Sequence, residues 1–181
     1  AECRLVSDGP DENLDALLLT LIGVMASARQ RIWIMSPYFL PERQMMGCLQ
    51  AAALSGIDVR VLIPAKNNWP VVQWALQHNM IELLNSGVRI FSRPSPFAHS
   101  KCILIDNEYS MVGSSNLDPR SLRLNFELGV EVFDDRLNAE LEGHFREVLL
   151  NCVPITADQI NNRNTYVKLR DSDSSIFSPY L

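Results

Sequence analysis

Apolar and polar residues follow the chain in the pattern expected of strands separated by helices. Apolar residues recur at helical spacing, first between residues 14 and 28 and again in later segments. Short runs of branched and aromatic residues, bounded by Pro, Gly or polar residues, lie between these segments. We therefore predict helices over about 14–28, 42–55, 71–86, 134–150 and within 154–163, and strands over about 31–35, 58–63, 88–91, 100–106, 109–112 and 126–133.

This order of elements predicts the fold class α/β. Strands that alternate with helices favour a layered α/β/α sandwich, in which helices cover both faces of a central mixed sheet. The length suits one domain with one core over residues 1–181. Residues 171–181 begin with a polar, serine-rich run, and we predict a loosely ordered tail there.

Composition narrows the classes of protein. A net charge of −5 argues against a general affinity for nucleic acid or anionic lipid. Four widely spaced cysteines, without a C-x-x-C pair or a histidine cluster, predict free thiols and no metal site: Cys3, Cys48, Cys102 and Cys152. The segment 14–28 is too short and too polar to span a bilayer. Because the chain starts without Met, we expect a processed chain or an excised piece.

The candidate chemistry lies in residues 99–106 and 113–116, which read H-x-K-x4-D-x6-G-S-x-N. Side chains two apart on a strand share a face, so His99 and Lys101 are predicted to point toward one substrate phosphate. Histidine would supply a nucleophile or a proton, and lysine a fixed positive charge.

A predicted hairpin would return the second part of this pattern to the first. Asn107 begins the turn, and the strand after it leads to Ser114 and Asn116, whose hydroxyl and amide can donate to phosphate oxygens. Gly113 would let the backbone approach closely. Asp106 has two interpretations, as a turn former or as a member of the site.

In this register the pattern resembles the HKD motif of the phospholipase D superfamily, whose members cleave or exchange phosphodiesters. The resemblance implies two motifs facing one phosphate, where one histidine attacks phosphorus and the other protonates the leaving alcohol. The sequence contains one motif. It would therefore be either half of a longer pseudo-dimeric chain or one subunit of a homodimer with a shared site.

A wider resemblance favours the half-chain interpretation. Residues 36–41, 63–67, 113–122, 124–127 and 178–181 look like the C-terminal half of a bacterial cardiolipin synthase. The resemblance implies transfer of a phosphatidyl group between two phosphatidylglycerol molecules through a phosphohistidine intermediate, with release of glycerol. It implies no metal and no cofactor. The implied partners are the lipid, a second half-site and the surface of the bacterial cytoplasmic membrane, where this part would face the cytoplasm or be peripheral.

The same resemblance assigns the site residues. His99 would be the nucleophile or the general acid, and Lys101, Ser114 and Asn116 would hold the phosphate. Asp106 would support the site through hydrogen bonds from behind it. Glu127 would accept a hydrogen bond from His99 Nδ1–H and so fix the imidazole tautomer.

Two alternatives stay open. One is a homodimeric phosphodiesterase or nuclease of the same superfamily, against which the acidic net charge counts. The other is a folded but inactive remnant that lacks its other half.

Overall fold

The apolar run Arg31–Met35 forms the centre of one eight-stranded sheet. In this computed structural model all five of its residues are buried, as expected of a strand covered on both faces. The structure describes residues 1–11, 13–66, 70–164, 166 and 170, and for residues 70–73 and 78 the backbone alone.

The strands are β1 (Glu2–Asp8), β2 (Arg31–Met35), β3 (Asp58–Pro64), β4 (Arg89–Arg93), β5 (Cys102–Ile105), β6 (Tyr109–Gly113), β7 (Glu127–Phe133) and β8 (Val153–Ile155). The helices are α1 (Ala16–Ser27), α2 (Arg43–Leu54), α3 (Pro70–Asn85), α4 (Pro119–Arg123), α5 (Asp135–Leu149) and α6 (Ala157–Asn161).

The sheet is mixed, as the sequence predicts. Its strand order is β1-β7-β6-β5-β2-β3-β4-β8. Strands β2, β3 and β4 run parallel, whereas the pairs β2–β5, β5–β6, β6–β7, β1–β7 and β4–β8 are antiparallel. Because β2 and β5 run in opposite directions, with Met35 opposite Cys102, the end of β2 meets the start of β5.

Helices cover both faces of the sheet, which confirms the predicted α/β/α sandwich. On one face α1, α2 and α3 pack on the larger core, which includes Leu17, Leu49 and Leu83. On the other face α5 packs through Phe145, whose ring stacks on Trp33 with centroids 4.9 Å apart. Alternate residues of β2 face the two cores, so one strand connects both layers.

The predicted helices and strands are confirmed with bounds shifted by a few residues. Strand β5 is shorter than the predicted strand 100–106, so Lys101 precedes it instead of lying within it, and His99 precedes the strand as predicted. The sequence reading missed β1, α4 and β8. Strand β1 is mostly exposed at an edge of the sheet, β8 has three residues around a proline, and α4 has five residues, so none shows a sustained apolar period.

Some predictions fall outside the described residues. The loose tail at 171–181, the resemblance at 178–181 and part of the loop at 65–70 are among them. The extent of the domain therefore stays a prediction. Within the described ranges, no helix combines the length and the apolarity needed to cross a bilayer.

Candidate active site

The β5–β6 hairpin brings the two parts of the motif together. Cys102 pairs with Val112, so the residues before β5 lie beside those after β6. Gly113 makes this approach possible. A Cβ at this position would lie 2.4 Å from the carbonyl oxygen of Leu128 and 3.0 Å from the Cα of Gly129. The close approach of β6 and β7 therefore requires a glycine here, as the sequence predicts.

His99 and Lys101 are in direct contact. Lys101 Nζ lies 2.7 Å from His99 Nδ1 and donates to the His99 carbonyl oxygen at 3.2 Å. Burial and the lysine charge both lower the pKa of His99 below its usual value. Burial also lowers the pKa of Lys101, while the charges of Glu127 and Asp118 oppose that effect. The imidazole is therefore held mainly neutral at pH 7.

The thiol nearest this pair does not compete as a nucleophile. Cys102 follows Lys101 directly, and burial raises the pKa of its thiol to about 11. It therefore stays protonated near neutral pH. All four cysteines are free thiols, as predicted.

Two aromatic rings that the sequence reading did not assign surround the histidine. The His99 ring centroid lies 5.9 Å from that of Tyr38 and 6.1 Å from that of Phe97. The two aromatic rings are themselves 6.2 Å apart. Tyr38 comes three residues after β2, at the edge of the sheet where ligands of α/β folds commonly bind, which is the signal that could have identified it.

Glu127 binds Ser114. The Ser114 hydroxyl donates to Glu127 Oε2 and accepts from the backbone N–H of Leu128 at 3.0 Å. Asn125 Nδ2 donates to the other carboxylate oxygen of Glu127 at 3.3 Å. Within the described part of the chain, no hydrogen bond joins Glu127 to His99, whose Nδ1 faces Lys101 instead. The structure thus places the glutamate in the site with partners other than the expected one.

Asn116 is held by a side chain from α4. Its Nδ2 donates to Ser121 Oγ at 3.1 Å, while its Oδ1 is buried without a hydrogen-bond partner. Asp118 caps α4 by accepting from the backbone N–H of Ser121 at 2.8 Å. The sequence reading missed Asp118, although an Asp followed by Pro is a typical helix start.

Asp106 lies apart from the other motif residues. It follows β5 at the end opposite His99, roughly 20 Å away at the rise of an extended strand. Its carboxylate accepts from the backbone N–H groups of Arg29, Gln30 and Arg31 at 3.0, 2.8 and 3.0 Å. The hydrogen bonds expected to support the site instead hold the turn before β2.

The described residues contain no group of three or more His, Cys, Asp or Glu side chains arranged to bind a metal ion. The polar groups brought together at this edge of the sheet are an imidazole, an ammonium, a hydroxyl, an amide and a carboxylate. This set can donate hydrogen bonds to an anion beside a nitrogen nucleophile.

Comparisons with known proteins give a family match and several similar proteins. Residues 21–149 match the family described as "Cardiolipin synthase, PLD-like domain". The chain is 34% identical over 178 residues to cardiolipin synthase 2 of Staphylococcus epidermidis and to cardiolipin synthase of Staphylococcus aureus. Each alignment covers 98% of this chain and 36% of the relative, so the chain spans about a third of their length.

Two solved structures share the fold. The phospholipase D family member Nuc from Salmonella typhimurium aligns with a TM-score of 0.72 and 24% identity, over 86% of this chain and 99% of Nuc. Phosphatidylserine synthase from Haemophilus influenzae aligns with a TM-score of 0.80 and 15% identity, over 99% of this chain and 48% of that protein. The alignment thus covers nearly all of Nuc but only about half of phosphatidylserine synthase.

Proposed function

The chain belongs to the phospholipase D-like family of cardiolipin synthases, and from this premise we propose that it supplies one of two half-sites of a phosphatidyltransferase. The enzyme makes cardiolipin from two molecules of phosphatidylglycerol and releases glycerol. Support comes from the relatives, which are named as cardiolipin synthases, and from the site geometry. The experiments use the native protein, meaning the protein that naturally contains this chain.

One observation carries the proposal. Lys101 Nζ lies 2.7 Å from His99 Nδ1, and both side chains lie at an open edge of the sheet. An ammonium at Nδ1 requires the lone pair on that nitrogen, so the proton of a neutral imidazole in this state is on Nε2. In the alternative arrangement, His99 Nδ1–H donates to Glu127, and the Lys101 ammonium binds the phosphate instead of Nδ1. These two arrangements correspond to the free and the substrate-bound site.

The reaction divides into two displacements at phosphorus. In the first, a histidine nitrogen bonds to phosphorus, the bond from phosphorus to the glycerol oxygen breaks, and a second histidine protonates that oxygen. In the second, a hydroxyl of another phosphatidylglycerol attacks phosphorus, its proton passes to the second histidine, and the N–P bond breaks. His99 takes one of these roles and the other half-site supplies the partner.

The remaining polar groups stabilise the charge on the phosphate oxygens. Lys101 brings a positive charge, and Asn116 can donate a hydrogen bond. Ser114 has one hydroxyl proton, which Glu127 accepts in this structure, so Ser114 donates to the phosphate only after it releases Glu127. Glu127 keeps the Ser114 hydroxyl in place and its charge favours the ammonium form of Lys101. Asp106 has a structural role in this proposal, because its partners lie at the other end of β5.

The second half-site has a surface to pack against. Leu124, Phe126 and Leu128 are exposed on either side of Glu127, and Phe126 is 73% exposed. Exposed apolar clusters beside a site commonly mark an interface. We propose that the other half of the same polypeptide, or a second copy of this chain, covers these side chains. A phospholipid substrate further implies that the domain works at the surface of the bacterial cytoplasmic membrane.

The function is tested by following the products of the native protein. Phosphatidylglycerol in mixed micelles should yield cardiolipin and glycerol in equal amounts, with single-stranded DNA left intact. Release of phosphatidic acid without cardiolipin would show a hydrolase, and cleavage of the DNA would favour the nuclease alternative. Either result would overturn the proposal.

A further inference from the structure

A chain of three polar side chains leads from the start of α4 to Asn116. The amide of Asn116 donates to Ser121 Oγ at 3.1 Å. The backbone N–H of Ser121 donates to Asp118 Oδ1 at 2.8 Å. Burial raises the pKa of Asp118, and hydrogen bonding by the Ser121 backbone and hydroxyl opposes that rise. Asp118 and Ser121 are 6% and 1% exposed, so solvent cannot easily replace these contacts.

The hydroxyl of Ser121 decides which way the Asn116 amide points. A hydroxyl has one proton to donate. When Ser121 gives this proton to the Asp118 carboxylate, its oxygen can only accept from Asn116, and the amide must turn its Nδ2 toward Ser121. This orientation leaves the buried Oδ1 of Asn116 without a partner, which costs free energy and therefore has to be imposed by the contact with Ser121.

We infer that Asp118 and Ser121 are positioning residues that fix the Asn116 amide with its NH2 group available to the substrate phosphate. This inference rests on the proposed function and deepens it. The NH2 group has two hydrogens, so one can stay on Ser121 while the other is free to donate to a phosphate oxygen. A flipped amide would turn an acceptor oxygen toward the phosphate and repel it.

Asp118 also acts on the second group that holds the phosphate. Its charge raises the pKa of Lys101 and favours the ammonium form, against the lowering effect of burial. A purely structural cap of α4 would explain the bond from the Ser121 backbone to Asp118. It would not explain why the Ser121 side chain accepts from Asn116, or why the carboxylate lies close enough to Lys101 to affect its pKa.

The test is a double-mutant cycle in the native protein, with kcat and KM measured for cardiolipin formation. We expect Asn116→Ala to lower kcat by about 10²–10³-fold, as for loss of one donor to a transition-state oxygen. Ser121→Ala should lower kcat by about 10–10²-fold with little change in KM. Because Ser121 acts through Asn116, the double variant should be no slower than Asn116→Ala alone.

Losses that multiply in the double variant, or a wild-type kcat in Ser121→Ala, would overturn the inference while leaving the proposed function intact. An unchanged kcat in Asn116→Ala would instead refute the phosphate-binding role on which the inference rests. Substitution of Ser121 by Ala keeps the backbone N–H that donates to the capping carboxylate of Asp118, so the cap itself is not removed.

Ser110→Ala is the matched control. Ser110 is also 1% exposed, and its hydroxyl accepts from the amide of Asn138 at 3.4 Å, on the face covered by α5. The variant Ser110→Ala should leave kcat per folded protein unchanged.

Asp118→Asn keeps a side chain able to cap α4 but removes the charge. It should lower kcat about 10-fold without shifting the unfolding midpoint. A wild-type kcat would show that Asp118 is not a positioning residue.

Discussion

Asp106 is the motif residue for which the family resemblance and the structure lead to different expectations. Its carboxylate accepts from three backbone N–H groups in the turn before β2 and lies at the far end of β5 from His99. We predict that Asp106→Ala lowers stability and leaves catalysis by the folded protein unchanged.

The magnitude follows from the hydrogen bonds that the substitution removes. A hydrogen bond to a charged group contributes about 1.5–3 kcal/mol, so three would give roughly 4.5–9 kcal/mol if fully buried. Asp106 is only half-buried, and water can replace part of these bonds, which reduces the sum to about 2–4 kcal/mol. Asp106 also has φ 51°, where alanine is disfavoured by about 1 kcal/mol. We therefore expect a total loss of about 3–5 kcal/mol.

Asp106→Asn separates these contributions. Asparagine tolerates positive φ, and one side-chain oxygen can keep the bonds to Gln30 and Arg31 while the Oδ2 bond to Arg29 is lost. Its cost should be about 1–2 kcal/mol.

Urea unfolding of the purified native protein, followed by tryptophan fluorescence, measures both variants, because Trp33 is buried in the core of this domain. The rate of cardiolipin formation per folded protein should stay within about 3-fold of wild type. A stability loss below about 1 kcal/mol with a rate loss above about 10²-fold would refute the reasoning and return Asp106 to the site.

Three further outcomes are expected. Gly113→Ala should cost at least about 2 kcal/mol in urea unfolding, because its Cβ would lie 2.4 Å from the Leu128 carbonyl oxygen. Glu127→Gln should slow turnover about 10²-fold and move the alkaline limb of the pH profile of kcat/KM to lower pH, because the carboxylate raises the pKa of Lys101. Phe126→Asp should slow cardiolipin formation without lowering the unfolding midpoint, because this ring is 73% exposed and the proposed second half-site would cover it.

Each of these outcomes has a control and a contradicting result. Ala at Gly23, where a Cβ would meet nothing within 4 Å, should be tolerated, and equal costs at Gly23 and Gly113 would contradict the steric argument. Gln at the exposed Glu140 should leave the pH profile unchanged, whereas an unmoved alkaline limb in Glu127→Gln would exclude its effect on Lys101. Leu54, 74% exposed at the end of α2, is the control for Phe126, and equal losses on substitution by Asp would exclude a specific interface.

The sequence predicted the central elements because their apolar runs are continuous. It could not predict β1 or β8, since edge strands that are half exposed lack such runs. The pairing of His99 with Lys101 followed from their spacing, although both precede β5. The partner of Glu127 could not be predicted, because the contact with Ser114 depends on how closely β6 and β7 approach.

Asp106 and Asp118 both make contacts that could not be predicted from the sequence. The motif register includes Asp106, but only the structure shows that its carboxylate binds the turn before β2. Asp118 lies outside the register, and only the turn into α4 brings it to Asn116 through Ser121. Spacing along one strand can be read from sequence, whereas contacts between separate elements depend on their packing.

The most direct test of the account is the rate of cardiolipin formation by the native protein with His99→Asn, beside His144→Asn as a control for an exposed histidine on α5. We expect His99→Asn to unfold like wild type, because the side chain is exposed, yet to lose at least about 10³-fold in rate, while His144→Asn keeps its activity. A rate within about 10-fold of wild type in His99→Asn would contradict the claim that His99 reacts at the phosphate.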